Sequence, residues 1–194
     1  MYFDTHAHYY DDAFDADRDE VLSALPAAGV ELALCPGCDL VSSRQSVALA
    51  ERYPHLYAAV GFHPENLEGV SLDQLSEIEA MAAHPNARGV FHCYSGGVED
   101  AKTLVIMGWM VSFTGVVTFK NARRALEVIE WLPMDHIMIE TDAPYMAPEP
   151  YRGKRNDSRY VFRMAEAIAQ VKGLTAEEVG RITTENGKRF FNIP

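Results

Sequence analysis

Two histidines two residues apart, His6 and His8 in "DTHAH", open the chain's chemistry. On an extended segment side chains at i and i+2 point to one face, so the pair can grip a single ion, and Asp4 stands at the same spacing. Neutral imidazole suits Zn²⁺ and its neighbours among the divalent metals. His63 in "VGFHP" and His92 in "VFHCYSGG" each close an apolar run just before turn-forming residues. Each could be a site residue or simply a polar strand end. Asp142 in "HIMIETDAP" ends a strongly apolar run, where a carboxylate is costly to bury without a charge partner. A metal ion supplies such a partner. Histidines with an aspartate form a donor set used by Zn²⁺ or Mn²⁺ and, with more water, Mg²⁺. A bound ion of that kind brings a water's pKa towards neutrality, and Asp142 is placed to steer or accept the proton.

Other chemistry-bearing residues need separate weighing. "CPGC", Cys35 to Cys38, could be a redox pair, half a zinc site or two packed thiols. No second pair exists to complete a four-cysteine zinc site, and the flanking pattern does not fit a thioredoxin-like unit. Met107, Trp109 and Met110 read as core. In "PYRGKRNDSRYVFR" the cations Arg152, Lys154, Arg155, Arg159 and Arg163 face a lone Asp157. That segment reads equally as a solvated loop leading into a helix or as a phosphate-facing patch.

The elements that position these residues show as an alternation. Short β-rich apolar runs are followed by stretches of helical spacing. Tyr2 and Phe3 lead into "DTHAH", and Val21, Leu22, Leu25 and Ala28 mark a helical face that stops at Gly29. "VELALCPG" precedes a helix from Ser42 to Arg52, and "LYAAVGFHP" one from Leu72 to Ala83. "GVFHCYSGG" precedes Val98 to Met107, "WMVSFTGVVTF" precedes Asn121 to Trp131, and "HIMIETDAP" closes the series. A proline-rich loop then leads to Val161, Met164, Ala165 and Ile168, and a capping box from Thr175 to Glu178 opens the last helix. Six such units predict right-handed βαβ connections and a buried parallel sheet. In such folds chemistry collects at the carboxyl ends of the strands. His6, His8, His63, His92 and Asp142 all sit at the ends of their runs.

Bulk properties set further limits. The 194 residues, 48% hydrophobic, fit one domain over 1–194, with no linker or low-complexity break. No apolar run reaches the roughly 20 residues of a membrane span, and the first residues lack a secretory core. Three cysteines are too few for a disulfide framework, so a soluble cytoplasmic protein with no membrane partner is the expectation. A net charge of −11 excludes a diffuse basic surface, so any nucleic-acid contact has to be local.

"DTHAH", "VGFHP", "GVFHCYSGG", "VSFTGVVTFKNA", "IETDAPYMAP", "PYRGKRN" and "TTENGKRFF" stand in the order seen in TatD-type deoxyribonucleases of the amidohydrolase superfamily. Across essentially its whole length the chain resembles that family. The resemblance implies a TIM-barrel-like α/β fold and metal-dependent hydrolysis of phosphodiester bonds, with single-stranded DNA or strand ends as substrate. It implies one or two divalent ions (Mg²⁺, Mn²⁺ or Zn²⁺). His6 and His8 match ligands of the first ion, His92 a ligand of the second, and Asp142 the ligand that also serves as base. His63 matches a residue facing the scissile phosphate. Arg152 and Arg155 match a loop that combines structural bonds with influence on the phosphate.

The chain also departs from the family pattern. Between the third unit and "GVFHC" the family carries two further strands, one ending in a metal-bridging glutamate within an E-x-G-L-D segment and one in a histidine. This chain has neither, and a seam is expected at residues 86–89. A (β/α)₈ barrel takes roughly 250 residues, so a chain of this length is short by about two βα units of roughly 30 residues each. The expectation is an incomplete barrel of about six parallel strands instead of eight, whose open edges favour completion by a homo-oligomer. The alternative function is a TatD-like remnant that binds metal without turnover.

Overall fold

The computed structural model describes residues 1–61, 63, 73–74, 90–106 and 108–194. The helix expected at Leu72 to Ala83 lies almost wholly outside the described residues, as do the seam at 86–89 and Met107. Within them the alternation read from the sequence appears as strands and helices in turn. They are β1 (Tyr2–Asp4), α1 (Arg18–Ala24), β2 (Val30–Pro36), α2 (Leu40–Arg52), β3 (Leu56–Ala59) and β4 (Val90–Phe91). Then follow α3 (Val98–Ile106), β5 (Met110–Phe113), α4 (Arg123–Trp131), β6 (Ile137–Ile139), α5 (Phe162–Lys172) and α6 (Ala176–Phe191).

All strand pairs are parallel and form two three-stranded sheets, β1-β2-β3 and β4-β5-β6. The backbone just beyond β1 and β6 joins them. Thr5 N donates to Ile139 O at 3.2 Å, Asp142 N to His6 O at 2.8 Å and His8 N to Ala143 O at 2.6 Å, with a parallel bridge between Ala7 and Ala143. The order across both sheets is therefore β3-β2-β1-β6-β5-β4, with β3 and β4 at the two ends. Among the described residues the sheets do not close into a ring.

The strands are short, apolar and covered by helices, as a parallel sheet requires. Leu22, Leu25, Val128, Ile129, Ile137, Ile139, Met164 and Ile168 meet in one fully or almost fully buried cluster. On the other side of β1 and β2, Phe3, Leu32 and Leu34 pack with Phe191 and Ile193 of the chain's end. Helix ends follow local chemistry. Asp39 and Ser42 form a capping box at α2, and Thr175 and Glu178 form the expected one at α6. Gly173 ends α5 at φ 66°, a conformation that suits glycine.

One expected strand is shorter than its pattern. The β-rich run "VSFTGVVTF" leaves the sheet at Phe113, because the Thr114 side chain accepts from Val116 N and starts a 3₁₀ turn over Gly115–Thr118. Gly115 is needed there, since a Cβ would collide with the Met146 carbonyl of the loop after β6. Local turn bonding outweighs β propensity once the sheet ends. No helix among the described residues is long and apolar enough to cross a membrane.

Candidate metal centre

The carboxyl ends of β1 and β6 lie side by side, and the hydrogen bonds that join them set the site. His8 N bonds Ala143 O while Asp142 N bonds His6 O, so each histidine of "HAH" is pinned by backbone to the segment carrying Asp142. Asp142 adopts φ 56°, a left-handed turn that aspartate tolerates better than most residues. Asn156 fixes that turn from the following loop, its amide donating to Thr141 O at 2.8 Å and Tyr145 O at 2.6 Å.

Three donors converge as a result. His6 Nε2 and His8 Nε2 are 3.0 Å apart, and Asp142 Oδ1 stands 3.6 Å and 3.3 Å from them. One donor atom from each of the three lies within 4.8 Å of the others, close enough for one ion. The side chains are only 12–15% exposed, so the cluster is sheltered yet open on one side. Two imidazoles and a carboxylate form the three-ligand set of hydrolytic metal sites, which keep a further position open. Burial, reinforced by His8, His92 and His63, holds His6 well below the usual histidine range. His6 is therefore neutral, the form that can coordinate a metal.

Asp4 does not join this group, although its spacing along β1 matches. Its buried carboxylate accepts from Thr141 N at 2.9 Å, from His6 N at 3.2 Å and from the hydroxyls of Thr141 and Ser158. Burial raises it to about 6 against the lowering effect of those bonds. Asp4 thus ties β1, β6 and the loop at 156–158 together behind His6, His8 and Asp142.

His92 follows β4 and stacks flat on His6, with ring centroids 4.3 Å apart and planes 9° from parallel. It is exposed, so it covers His6 from the solvent side. Partial desolvation of its ring, stacked on His6, lowers His92 below the usual range, and His8 and His63 add to that against the opposing pull of Asp142. The turn that aims it is held by a residue the sequence reading passed over. Glu140 Oε1 accepts from Cys93 N at 2.6 Å, where Cys93 bends at φ 46°. Glu140 is fully buried, its other oxygen has no hydrogen-bond partner among the described residues, and burial, opposed by the Ser112 side chain, pushes it up to about 8. Burial thus favours its protonated form.

His63 lies on the same side of the molecule, its backbone N bonded to Cys38 O at 2.8 Å. The two arginines of the "PYRGKRN" segment differ. Arg155 forms a two-pronged ion pair with Asp17, with N–O distances of 2.7 and 2.6 Å, and donates to Ala13 O. It thus pins the loop to the start of α1. Arg152 is exposed and lies over the Phe119 ring at 4.2 Å. Cys35 is buried in the core and Cys38 half-buried, with no disulfide between them. Tyr10, also passed over, reaches His8: its hydroxyl lies 2.8 Å from His8 Nδ1 and 3.4 Å from Cys38 Sγ. Being part of an apolar-polar run, it carried no signal of its own.

Comparison with known proteins identifies the chain's relatives. The family profile described as "TatD related DNase" matches residues 3–90 and 71–192. An uncharacterized metal-dependent hydrolase of Bacillus subtilis, YabD, is 31% identical over 254 residues, covering 100% of both chains. That alignment is sixty positions longer than this chain. The Escherichia coli metal-dependent hydrolase YcfH is 42% identical over 105 residues, 54% of this chain and 40% of that protein. Among solved structures, YjjV, a TatD homologue from E. coli, superposes with a TM-score of 0.89 at 23% identity, covering 100% of this chain and 98% of that one. A TatD-family hydrolase of Entamoeba histolytica gives 0.82 at 15% identity, with 100% and 99% covered. These likenesses give the arrangement of β1–β6 its architecture, a TIM-barrel-like α/β fold.

Proposed function

Because the chain belongs to the TatD-related DNase family of metal-dependent hydrolases, we propose that it hydrolyses phosphodiester bonds of DNA, in single strands or at strand ends. The observation that carries this reading is the convergence of His6, His8 and Asp142 at the carboxyl ends of adjacent strands. These three residues would hold a divalent ion (Mg²⁺, Mn²⁺ or Zn²⁺). Such an ion supplies Lewis-acid stabilisation of phosphoryl charge and brings a water's pKa towards neutrality.

The chain's own residues supply the rest. Asp142, beside both imidazoles, accepts the proton of the attacking water. The Ala7–Ala143 bridge keeps it in register with the histidines. His92, stacked on the exposed side of His6, and His63 flank the space where a phosphate would enter. Arg152 stands at the rim, its guanidinium held flat by Phe119. Arg155 acts through the loop it anchors, not through direct contact.

The reading includes a shortened barrel. Strands β3 and β4 end the two sheets, and the alignment with YabD is sixty positions longer than the chain, which supports the loss of two βα units between them. With them would go a bridging glutamate and a histidine, leaving a site suited to one ion. Activity is then weak and needs millimolar metal.

The test is cleavage of an end-labelled single-stranded oligonucleotide in Mg²⁺ or Mn²⁺. The expected result is metal-dependent cleavage that falls by about 10²-fold or more in Asp142→Asn, the loss typical of a missing general base. No cleavage by wild type, with metal bound in calorimetry, would replace this reading with that of a metal-binding protein without turnover.

A further inference from the structure

We propose that Tyr10 is a positioning residue for His8, and that Cys38 sets its direction by accepting a hydrogen bond from the Tyr10 hydroxyl. The proposal rests on the reading of His8 as a metal ligand, and nothing in the family relationship assigns either residue this part.

The donors and acceptors around His8 decide its tautomer. Its Nδ1 faces two oxygens, Pro36 O at 3.2 Å and Tyr10 Oη at 2.8 Å. A carbonyl only accepts, so the contact with Pro36 requires the proton on Nδ1. That leaves Nε2 with its lone pair facing His6 and Asp142, the tautomer a metal ligand needs. With Nδ1 donating, Tyr10 Oη is an acceptor as well, and its own single proton has to go elsewhere. It goes to Cys38 Sγ, 3.4 Å away, with the Ser42 side chain also hydrogen-bonded to the Tyr10 hydroxyl. The chain of bonds then runs one way only: His8 Nδ1–H to Tyr10 Oη, and Tyr10 Oη–H to Cys38 Sγ.

The surroundings support a built arrangement. The His8 and Tyr10 rings meet nearly edge-on, with centroids 5.5 Å apart and planes at 72°, which fixes the imidazole plane. Cys38 is itself anchored, its N donating to Ser42 Oγ at 2.8 Å within the α2 capping box and its O accepting from His63 N. One loop residue thus holds the backbone of His63 and, through Tyr10, the ring of His8. The "CPGC" segment gains a role in this way that is neither a redox pair nor half a zinc site.

Two measurements test the proposal, and the first needs no metal. In the metal-free protein, ¹⁵N-histidine NMR should show His8 with its proton on Nδ1. A proton on Nε2 would overturn the proposal whatever the protein does with metals. The second is Mn²⁺ or Zn²⁺ calorimetry. Tyr10→Phe keeps the ring and removes the acceptor, and should weaken affinity about tenfold, at the low end of the 10–100-fold typical of lost outer-shell bonds because Pro36 O remains. Cys38→Ala should weaken it in the wild-type background but not further in Tyr10→Phe, and Cys38→Ser should restore it. Equal affinity for wild type and Tyr10→Phe would overturn the proposal while leaving the metal site standing. Wild type that binds neither ion would remove the metal site itself.

Discussion

At the scale of single residues, the unusual group is Glu140. One oxygen holds Cys93 N and thereby the turn under His92, while the other is buried without a partner among the described residues. Its carboxyl is pushed from 4.5 up to about 8, chiefly by burial. A carboxyl raised in the folded state binds more protons there than in the unfolded chain between those two values. Stability is therefore greatest below about pH 4.5 for this group and is lost as pH rises towards about 8, by an amount on the order of a few kcal/mol. Glu140→Gln mimics the protonated form and should remove this decline. Urea denaturation of the metal-free proteins at pH 5.5 and 8.5 checks it. The variant should gain on wild type at the higher pH, and parallel losses in both proteins would refute the assignment. The sequence made His6, His8 and Asp142 visible because a metal needs particular atoms at particular spacings. It did not separate Asp4 from them, since the i, i+2 rule gives a shared face and says nothing about which carboxylate finds hydroxyl partners first.

At the scale of elements, the alternation of apolar runs and helical stretches was legible because burial on both faces leaves few residue types for a parallel strand. Boundaries were less so. "GVVTF" satisfies a β pattern, and only the Thr114 side chain bond and the passage of Gly115 under Met146 turn it into a 3₁₀ turn. The close packing of α6 on β1 was equally hidden. Gly187 sits in mid-helix, where glycine costs about 1 kcal/mol relative to alanine. Yet a Cβ there would collide with the Phe3 ring, which is wholly buried next to Asp4 in the strand that leads to His6. Overpacking of this kind typically costs 1–3 kcal/mol, more than the helix gains. Gly187→Ala should therefore destabilise the protein by up to about 2 kcal/mol on balance, read as a lower denaturation midpoint at unchanged slope. A midpoint at or above wild type would mean that β1 yields easily, and the site's dependence on that contact would have to be abandoned.

At the scale of the whole molecule, charge decides how a nucleic acid would be held. The net charge is −11, and the one basic segment is largely neutralised from within. Arg155 pairs with Asp17, Arg159 with Asp157 and Arg163 with Glu166. The phosphate-facing alternative for this segment thus shrinks to Arg152, with Lys154 exposed beside it. A protein of this sign gains little from releasing counterions, so if DNA is the substrate its phosphate would be held chiefly through an ion bound by His6, His8 and Asp142. For a single strand the salt slope is about −0.7 per phosphate contact, so one or two contacts give a slope no steeper than about −1.5. Fluorescence anisotropy of the wild-type protein with a short phosphorothioate oligonucleotide, which resists cleavage, should show weak binding with a shallow salt slope that strengthens with Mn²⁺. Arg152→Ala should then flatten the slope by about 0.7, the share of one phosphate contact. Tight binding in chelator with a steep slope would instead place the nucleic acid on a basic surface that the ion pairs of this fold do not leave open.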